Sequence, residues 1–357
     1  MGISLITYII VFIVGIVAFK EYLSLTKEDV LEDYIEKLIS KARFKELPNL
    51  IKGKTGYANN VGVKIFYEDL CMCDDPISTV LLINGSSETL IQWPEQMIRT
   101  ILKNNFRVIR FDNRGLGMSD WIPDWSKLNS YSLNDMALDA LAVTNHLKVH
   151  KFHLIGYSMG GMISQILAIN YPEKILSMTN LMSTGHLFDP EAEKADNKRL
   201  AQLRKMVFGY KNKKRKLNKA LKFHFKLSHL WVGSGNYVHN HEKQLEKVLF
   251  EIKKRKGYNK NTFSQHKKAI KNSGSRYSKL KKILTPSLII HGSDDPLIKA
   301  SHSKKMASLI HGSKLVLING MGHDFNKNFK NRIISIILPH IFCLLYTSDA
   351  ADDLLCV

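Results

Sequence analysis

The sequence is poor in cysteine, proline and acidic residues. Its 357 residues include four Cys and nine Pro, and 32 Asp and Glu stand against 52 Lys and Arg, for a formal charge of +20. Four cysteines are too few for a disulfide framework, and no Cys or His cluster has zinc spacing, so we expect no metal and no cofactor. The apolar share of 45% excludes a wholly disordered chain. The length allows two domains, or one large domain with an insertion.

The N-terminus carries a long run without charge. Ile3–Phe19 would span about 26 Å as a helix, close to the hydrocarbon thickness of a bilayer. Basic residues follow the run, beginning with Lys20 and Lys27, and none precedes it. We therefore expect residues 1–22 to anchor a membrane-associated protein, with the bulk of the chain in the cytosol. A cleaved signal peptide and a buried helix are the alternatives. Residues 23–55 are expected to form a helical stalk.

The last fifteen residues differ from those before them. Residues 343–357 share neither charge nor periodicity with the preceding helical pattern. Their CLLYTSDAAD stretch matches one reading frame of a common transposase sequencing adapter. We expect these residues to be an adapter-derived artefact, with a natural tail as the alternative.

The positive charge is concentrated in one segment. Residues 194–282 hold 27 of the 52 basic residues and only four of the 32 acidic ones. Such a segment attracts anionic lipid, nucleic acid or an anionic substrate, although it is equally typical of a solvated helical surface. No zinc-finger, RNA-recognition or helix-turn-helix signature accompanies the charge, so we expect no nucleic-acid partner.

Hydrophobic patterning predicts alternating strands and helices. A hairpin with its turn at Asn59-Asn60 is predicted within residues 56–70. Short apolar runs predict strands at 79–84, 107–112, 152–158, 175–183, 286–292 and 314–320. Amphipathic stretches predict helices at 93–104, 133–148, 159–171, 300–310 and 326–342. This alternation indicates a parallel sheet covered on both faces. It is interrupted at residues 184–283, a basic helical insertion that we call the cap.

One turn has the pattern of a nucleophile elbow. Gly156-Tyr157-Ser158-Met159-Gly160 fits G-x-S-x-G, with a predicted strand before the serine and a helix after it. The turn would lift the Ser158 hydroxyl above the sheet, at the positive end of the helix. The pentapeptide alone is a weak signal, because a glycine-rich turn can carry a passive serine.

A serine becomes nucleophilic only beside a base, which in turn needs a carboxylate to orient it. Asp294 and Asp295 follow one predicted strand, and His323 follows the next. Both predicted strands end at the carboxyl edge of the sheet, where open α/β folds build their sites. Ser158, His323 and one of the two aspartates are therefore candidate catalytic residues.

The oxyanion formed during acyl transfer needs preorganised donors. The Met159 N–H is one candidate, since it directly follows the serine. The second should come from the loop after the strand at 79–84, and Ser86 N–H is our candidate.

Seven ordered segments resemble the α/β-hydrolase superfamily, and within it the aclacinomycin methylesterase-like esterases. They are NGSSETLIQWP, VIRFDNRGLGMSDW, YSLNDMALDALAV, HLIGYSMGGMISQ, YPEKILSMTNLMST, LIIHGSDDPL and MGHD. The resemblance covers about residues 56–340 without the cap. It implies an α/β fold with a mostly parallel eight-stranded sheet, helices on both faces and an inserted helical cap. The core would comprise residues 56–183 and 284–342.

The resemblance also assigns roles. It implies a triad of Ser158, Asp295 and His323, with Asp294 a lesser candidate, and a scaffold role for Asp112 and Arg114. The sequence departs from many relatives where Asn84-Gly85 replaces His-Gly, which leaves the second oxyanion donor open.

These features favour a serine ester hydrolase of the carboxylesterase or lipase type that works through an acyl-enzyme. The expected substrate is a small-molecule or lipid ester. The apolar N-terminus and the basic cap favour lipid or acylglycerol esters at a membrane. The alternatives are a soluble hydrolase of small or methyl esters, a proline-type aminopeptidase, and a ligand receptor of the same fold without turnover.

Overall fold

A computed structural model describes residues 32–123, 125–126, 130–211, 217–235 and 241–346. The strands are β1 (Lys54–Asn60), β2 (Val63–Leu70), β3 (Ser78–Ile83), β4 (Phe106–Phe111), β5 (Phe152–Tyr157), β6 (Ile175–Leu181), β7 (Ser287–Gly292) and β8 (Lys314–Ile318). The helices are α1 (32–44), α2 (Glu95–Lys103), α3 (Leu133–His146), α4 (Met159–Asn170), α5 (Asn197–Lys211), α6 (Leu217–Leu230), α7 (His241–Lys254), α8 (Thr262–Ser273), α9 (Tyr277–Leu280), α10 (Ala300–Leu309) and α11 (Lys327–Tyr346).

The eight strands form a single sheet in the order β1-β2-β4-β3-β5-β6-β7-β8. The pairs β1–β2 and β2–β4 are antiparallel, and every later pair is parallel. The predicted α/β-hydrolase fold, with its mostly parallel eight-stranded sheet, is confirmed. The parallel strands β3, β5, β7 and β8 all end at one edge of this sheet, which is where the candidate site residues follow them.

Helices cover both faces of the sheet because the side chains of each strand alternate. On β3, Leu81 and Ile83 pack with α3 and α4 on one face. Val80 and Leu82 pack with α2 and α11 on the other. Burial on both faces explains why the central strands read as continuous apolar runs in the sequence.

The first hairpin turns two residues later than predicted. Asn59 and Asn60 are still in β1, and Asn60 pairs with Val63. The turn consists of Val61 and Gly62, both with positive φ (48° and 83°), as in a type I′ turn. Asn59 instead supports the turn, because its Oδ1 accepts the Gly62 N–H at 2.8 Å.

The expected stalk contains α1, and this helix packs on the cap instead of standing apart. Ile35, Ile39 and Ala42 are buried against α6 and α7. The two ends of α1 also form ion pairs with the cap, including Lys41 with Glu242 at 2.6 Å. The sequence indicates a helix here, but it does not show which surface covers the apolar side of that helix.

Helices α5 to α9 lie between β6 and β7, the range in which the cap was expected. No helix in the described ranges is both long and apolar enough to cross a membrane. The expected anchor, residues 1–22, lies outside those ranges, as does most of the tail 343–357.

Candidate active site

Ser158 lies in a strained turn between β5 and α4. Its φ of 54° and ψ of −116° are unusual for a residue with a side chain. The turn is possible because glycines flank it: a Cβ at Gly160 would lie 1.9 Å from the Ile83 carbonyl oxygen, and one at Gly156 would lie 2.4 Å from the Gly160 carbonyl oxygen. The G-x-S-x-G spacing therefore reflects close backbone packing at both glycine positions.

Hydrogen bonds hold the backbone of Ser158 in this conformation. Its N–H donates to the Leu181 carbonyl at 2.8 Å. Its carbonyl accepts from the Ser183 hydroxyl at 2.7 Å and from the Gly161 N–H at 3.0 Å. The strained residue is thus fixed by the neighbouring strand β6, which is how folds sustain strain at a site.

The three residues implied by the resemblance form one hydrogen-bonded chain. His323 Nε2 lies 3.0 Å from Ser158 Oγ, and His323 Nδ1 lies 2.6 Å from Asp295 Oδ2. Asp295 is fully buried, and His323 and Ser158 are 4% and 9% exposed. Because the carboxylate accepts from Nδ1–H, Nε2 is left to accept the serine proton.

The two neighbouring aspartates have different partners. The Asp294 carboxylate accepts hydrogen bonds from the hydroxyls of Ser293 and Ser234. Asp295 Oδ1 accepts the N–H groups of Leu297 and Ile298, both at 2.8 Å, while Oδ2 faces His323. The geometry therefore brings Asp295 to the histidine and directs Asp294 away from it.

The electrostatics favour an Asp295 carboxylate beside a protonatable His323. Burial alone would raise the pKa of Asp295, but the His323 charge and the hydrogen bonds to the carboxylate hold it well below its usual value. Burial disfavours the charged imidazole, yet the Asp295 carboxylate outweighs this effect and raises the pKa of His323. The site therefore stabilises an imidazolium once His323 has taken a proton.

Two further carboxyls lie near His323. Burial raises the pKa of Glu88 to about 7, against the opposing influence of His323 and Lys247. Burial also raises the pKa of Asp324 to about 6. Asp324 directly follows His323 in the sequence, whereas the proximity of Glu88 could not be inferred, because Glu88 lies 235 positions away from His323 along the chain.

The two candidate oxyanion donors come from the residue after the serine and from the loop after β3. Met159 is the first residue of α4, and its N–H has no intrahelical acceptor at that position. The loop after β3 approaches closely, since a Cβ at Gly85 would lie 3.3 Å from Ser158 Cβ. In this loop the Ser87 N–H is already engaged, donating to His266 Nδ1 at 3.2 Å. The Ser86 N–H stays a candidate, because the described residues provide no acceptor for it.

The cap supplies a residue that sequence reasoning missed. His266 on α8 is fully buried, and its Nε2 lies 3.0 Å from the Arg114 carbonyl oxygen. Burial lowers the pKa of His266 to about 4. In its own stretch of sequence it is an ordinary helical histidine, so its contact with the loop after β3 becomes visible only in the structure.

A second buried histidine also escaped the sequence analysis. His291, the fifth residue of β7, places Nε2 3.2 Å from Asp295 Oδ2 and 2.7 Å from the Ile298 carbonyl oxygen. It thus braces the loop that carries Asp295. Its place at the end of β7, four residues before Asp295, is the signal that could have identified it.

Asp112 and Arg114 make the contacts expected of scaffold residues. Asp112 accepts the N–H groups of Leu90 and Met118, both at 2.8 Å. Arg114 donates two hydrogen bonds to Asp139, each 2.6 Å long. Neither side chain contacts Ser158 or His323.

The sequence comparison identifies the family of the chain. A family model described as the alpha/beta hydrolase fold matches residues 78–328, which is more than half of the chain. The chain therefore belongs to the α/β hydrolases, and it is a hydrolase.

Relatives include an esterase. Rhodomycin D methylesterase DauP from Streptomyces sp. (strain C5) is 28% identical over 284 residues, covering 75% of this chain and 92% of the relative. The putative carbamate hydrolase RutD from Pantoea ananatis (strain LMG 20103) is 25% identical, covering 72% and 86%.

Solved structures share the fold. A hydrolase from Pseudomonas aeruginosa PA01 has a TM-score of 0.63 at 20% identity, and the match covers 81% of this chain and 98% of that one. A bacterial membrane phospholipase A has a TM-score of 0.62 at 19% identity, with coverage of 95% and 99%. At these identities the likeness concerns the fold alone.

Proposed function

We propose that this protein is a serine ester hydrolase that works through an acyl-enzyme. The observation that carries the proposal is the pair of hydrogen bonds made by His323: Nε2 accepts from Ser158 Oγ at 3.0 Å, and Nδ1 donates to Asp295 Oδ2 at 2.6 Å. Ser158 Oγ attacks the ester carbonyl while its proton passes to His323 Nε2. Asp295 orients the imidazole and stabilises its positive charge, as carboxylates do in such triads.

The proton then moves from His323 to the leaving alkoxide, and the C–O bond of the ester breaks. A water molecule attacks the acyl group, gives its proton to His323, and releases the acid as Ser158 regains its own. In both steps the amides of Met159 and Ser86 stabilise the oxyanion. These two N–H groups belong to the start of α4 and to the loop after β3, so preorganised backbone dipoles stabilise the negative charge on the oxygen.

A carboxylic ester is the substrate class that fits best. The rhodomycin D methylesterase relative aligns with this chain over 92% of its own length. This likeness supports a small or methyl ester as the substrate. The serine nucleophile, its histidine and its oxyanion donors together suit acyl transfer, and the triad supports turnover instead of ligand binding alone.

The decisive test is covalent labelling of Ser158. A fluorophosphonate should label the folded full-length protein, and Ser158→Ala should abolish both labelling and hydrolysis of p-nitrophenyl esters. Ser308→Ala is the matched control, since that hydroxyl is exposed on α10 and donates only to the Lys305 carbonyl. Absence of labelling and of ester hydrolysis in the wild type would contradict the proposal and favour a receptor. Release of N-terminal proline from peptides without ester hydrolysis would favour an aminopeptidase.

A second candidate is a lipid ester presented by an anionic membrane. The observation that favours it is the outer surface of α5, where Phe208 is 72% exposed among the exposed Lys198, Arg204 and Lys205. An exposed aromatic side chain among basic residues is typical of a helix that lies on a lipid surface. Each basic residue close to an anionic leaflet contributes up to about 1 kcal/mol of binding.

Vesicles separate the two substrate classes. Hydrolysis of an acylglycerol should be faster in anionic than in neutral vesicles, and high salt should remove the difference. The triple variant Phe208→Ser, Arg204→Gln, Lys205→Gln should hydrolyse the acylglycerol at the same rate in both kinds of vesicle. The matched control is Leu284→Ser, Lys281→Gln, Lys282→Gln, which removes equally exposed residues just before β7, at the opposite edge of the sheet. Equal rates on both vesicles, with no salt dependence, would contradict membrane association.

A further inference from the structure

Few hydrogen bonds hold the loop that offers the second oxyanion donor, and one of them spans it, from Asn84 Nδ2 to the Glu88 carbonyl at 3.3 Å. Among the described residues, one hydrogen bond fixes the backbone of Gly85–Ser87, from the Ser87 N–H to His266 Nδ1 at 3.2 Å. Ser87 also has a φ of 63°, a left-handed conformation that residues with a side chain adopt only when their surroundings impose it. The contact with His266 is therefore the hydrogen bond next to the Ser86 amide along the chain.

The His266 ring is suited to this contact because both of its nitrogens are committed. Nδ1 accepts from the Ser87 N–H, so the ring proton is on Nε2, and Nε2–H donates to the Arg114 carbonyl at 3.0 Å. The ring thus links the oxyanion loop to the loop after β4. A single tautomer satisfies both bonds.

Helix α8 is independently fixed to the core, so the ring is held in place. Thr262 Oγ1 donates to the Gly115 carbonyl at 2.7 Å, and Gln265 Nε2 donates to the Ile122 carbonyl at 2.8 Å. Ala269 and Ile270 are buried in the same cluster as α3. These contacts place the histidine without involving the oxyanion loop.

We propose that His266, a residue of the cap, positions the Ser86 amide for oxyanion stabilisation. This inference rests on the proposed function. It gives the cap a part in the chemistry.

Two substitutions test the roles of the two His266 ring nitrogens separately. His266→Asn keeps an acceptor close to the position of Nδ1, whereas His266→Gln keeps a donor close to that of Nε2 and loses the acceptor. Thr262→Val is the matched control, since it removes a buried hydrogen bond between the same helix and the core without touching the oxyanion loop. Kinetic constants for an ester, thermal midpoints and amide hydrogen exchange are measured on the full chain.

We expect His266→Gln to lower kcat by about 10- to 100-fold with little change in KM, because a donor needed in the transition state is misplaced. His266→Asn should retain kcat within about threefold, and so should Thr262→Val, although both lower the thermal midpoint. The amides of Ser86 and Ser87 should exchange faster in His266→Gln than in Thr262→Val.

Two outcomes would overturn the inference. One is a wild-type kcat in His266→Gln, and the other is a loss of kcat that follows the thermal midpoint equally in all three variants. If the wild type itself shows no hydrolysis that depends on Ser158, the proposed function fails. In that case hydrogen exchange alone tests whether His266 holds the loop. Equal exchange of the Ser86 and Ser87 amides in His266→Gln and Thr262→Val would show that it does not.

Discussion

The Asp295 carboxylate has four donors within reach of its two oxygens. Oδ1 accepts two backbone N–H groups at 2.8 Å, and Oδ2 lies 2.6 Å from His323 Nδ1 and 3.2 Å from His291 Nε2. An ionised carboxylate suits this environment because it only accepts hydrogen bonds. An amide does not, since its NH2 group would face donors on one side.

Asp295→Asn should therefore impair the chemistry more than the fold. The amide would favour the wrong tautomer of His323 and cannot stabilise the imidazolium, so we expect kcat to fall by about 10³- to 10⁴-fold with KM little changed. Ester kinetics and thermal unfolding of the purified variant measure the two effects.

Asp294→Asn provides the matched control for Asp295→Asn. Its carboxylate contacts Ser293 and Ser234 but not His323, so the same chemical change should leave kcat within about threefold of wild type. A large loss in Asp294→Asn, with activity retained in Asp295→Asn, would assign the acid to the other aspartate.

The catalytic candidates could be predicted at the residue scale because their signals are local. Ser158 lies in a motif with a strand before it and a helix after it, and Asp295 and His323 each follow a strand. The residues that support them could not be predicted in this way. His266 contacts a loop 179 positions earlier in the chain, and its role depends on how the cap packs on the core.

Hydrophobic periodicity predicts strands and helices more reliably than it predicts the turns between them. The strands β3 to β8 begin and end within two residues of the predicted bounds, because burial on both faces produces continuous apolar runs. The hairpin turn was misplaced because Asn59-Asn60 has turn propensity, while the strand pairing favours Val61-Gly62. The register of β1 with β2 determines where the turn lies, and this pairing involves residues outside the Asn59-Asn60 dipeptide.

Helix α1 shows what amphipathic patterning leaves undetermined. Its apolar positions Ile35, Ile39 and Ala42 indicate a buried side but give no partner. In the structure the partners are α6 and α7, more than 170 residues later, whose Leu221 and Leu245 are fully buried against α1. A stalk was a reasonable expectation from the sequence, and the packing of the cap makes α1 part of the globular protein.

At the scale of the whole molecule, a buried ionic cluster joins cap and core. Arg255, just after α7, forms ion pairs with Asp112 of the core and with Glu251 of α7. The Glu251 carboxylate also accepts the Thr89 hydroxyl at 2.9 Å. Two carboxyls therefore share one buried guanidinium, so the cluster carries excess negative charge when both are ionised.

This cluster should make stability depend on pH. Burial raises the pKa of Glu251 to about 7, with Arg255 opposing the shift and Asp112 adding to it. The folded protein then holds a proton that the unfolded chain, with an ordinary glutamate pKa near 4.5, has lost. The contribution of Glu251 to stability therefore falls as pH rises through the window between these two values, and it levels off above about pH 7.

Glu251→Gln should remove this dependence, since the amide still accepts the Thr89 hydroxyl and never ionises. We expect the variant to gain about 2 kcal/mol relative to wild type between pH 5 and pH 8, measured by urea unfolding. Glu246→Gln on the same helix is the matched control, because that residue pairs with Lys45 at the surface, and it should shift stability equally at both pH values. A difference between Glu251→Gln and wild type that stays constant with pH would show that Glu251 is already ionised at pH 5 in the folded protein.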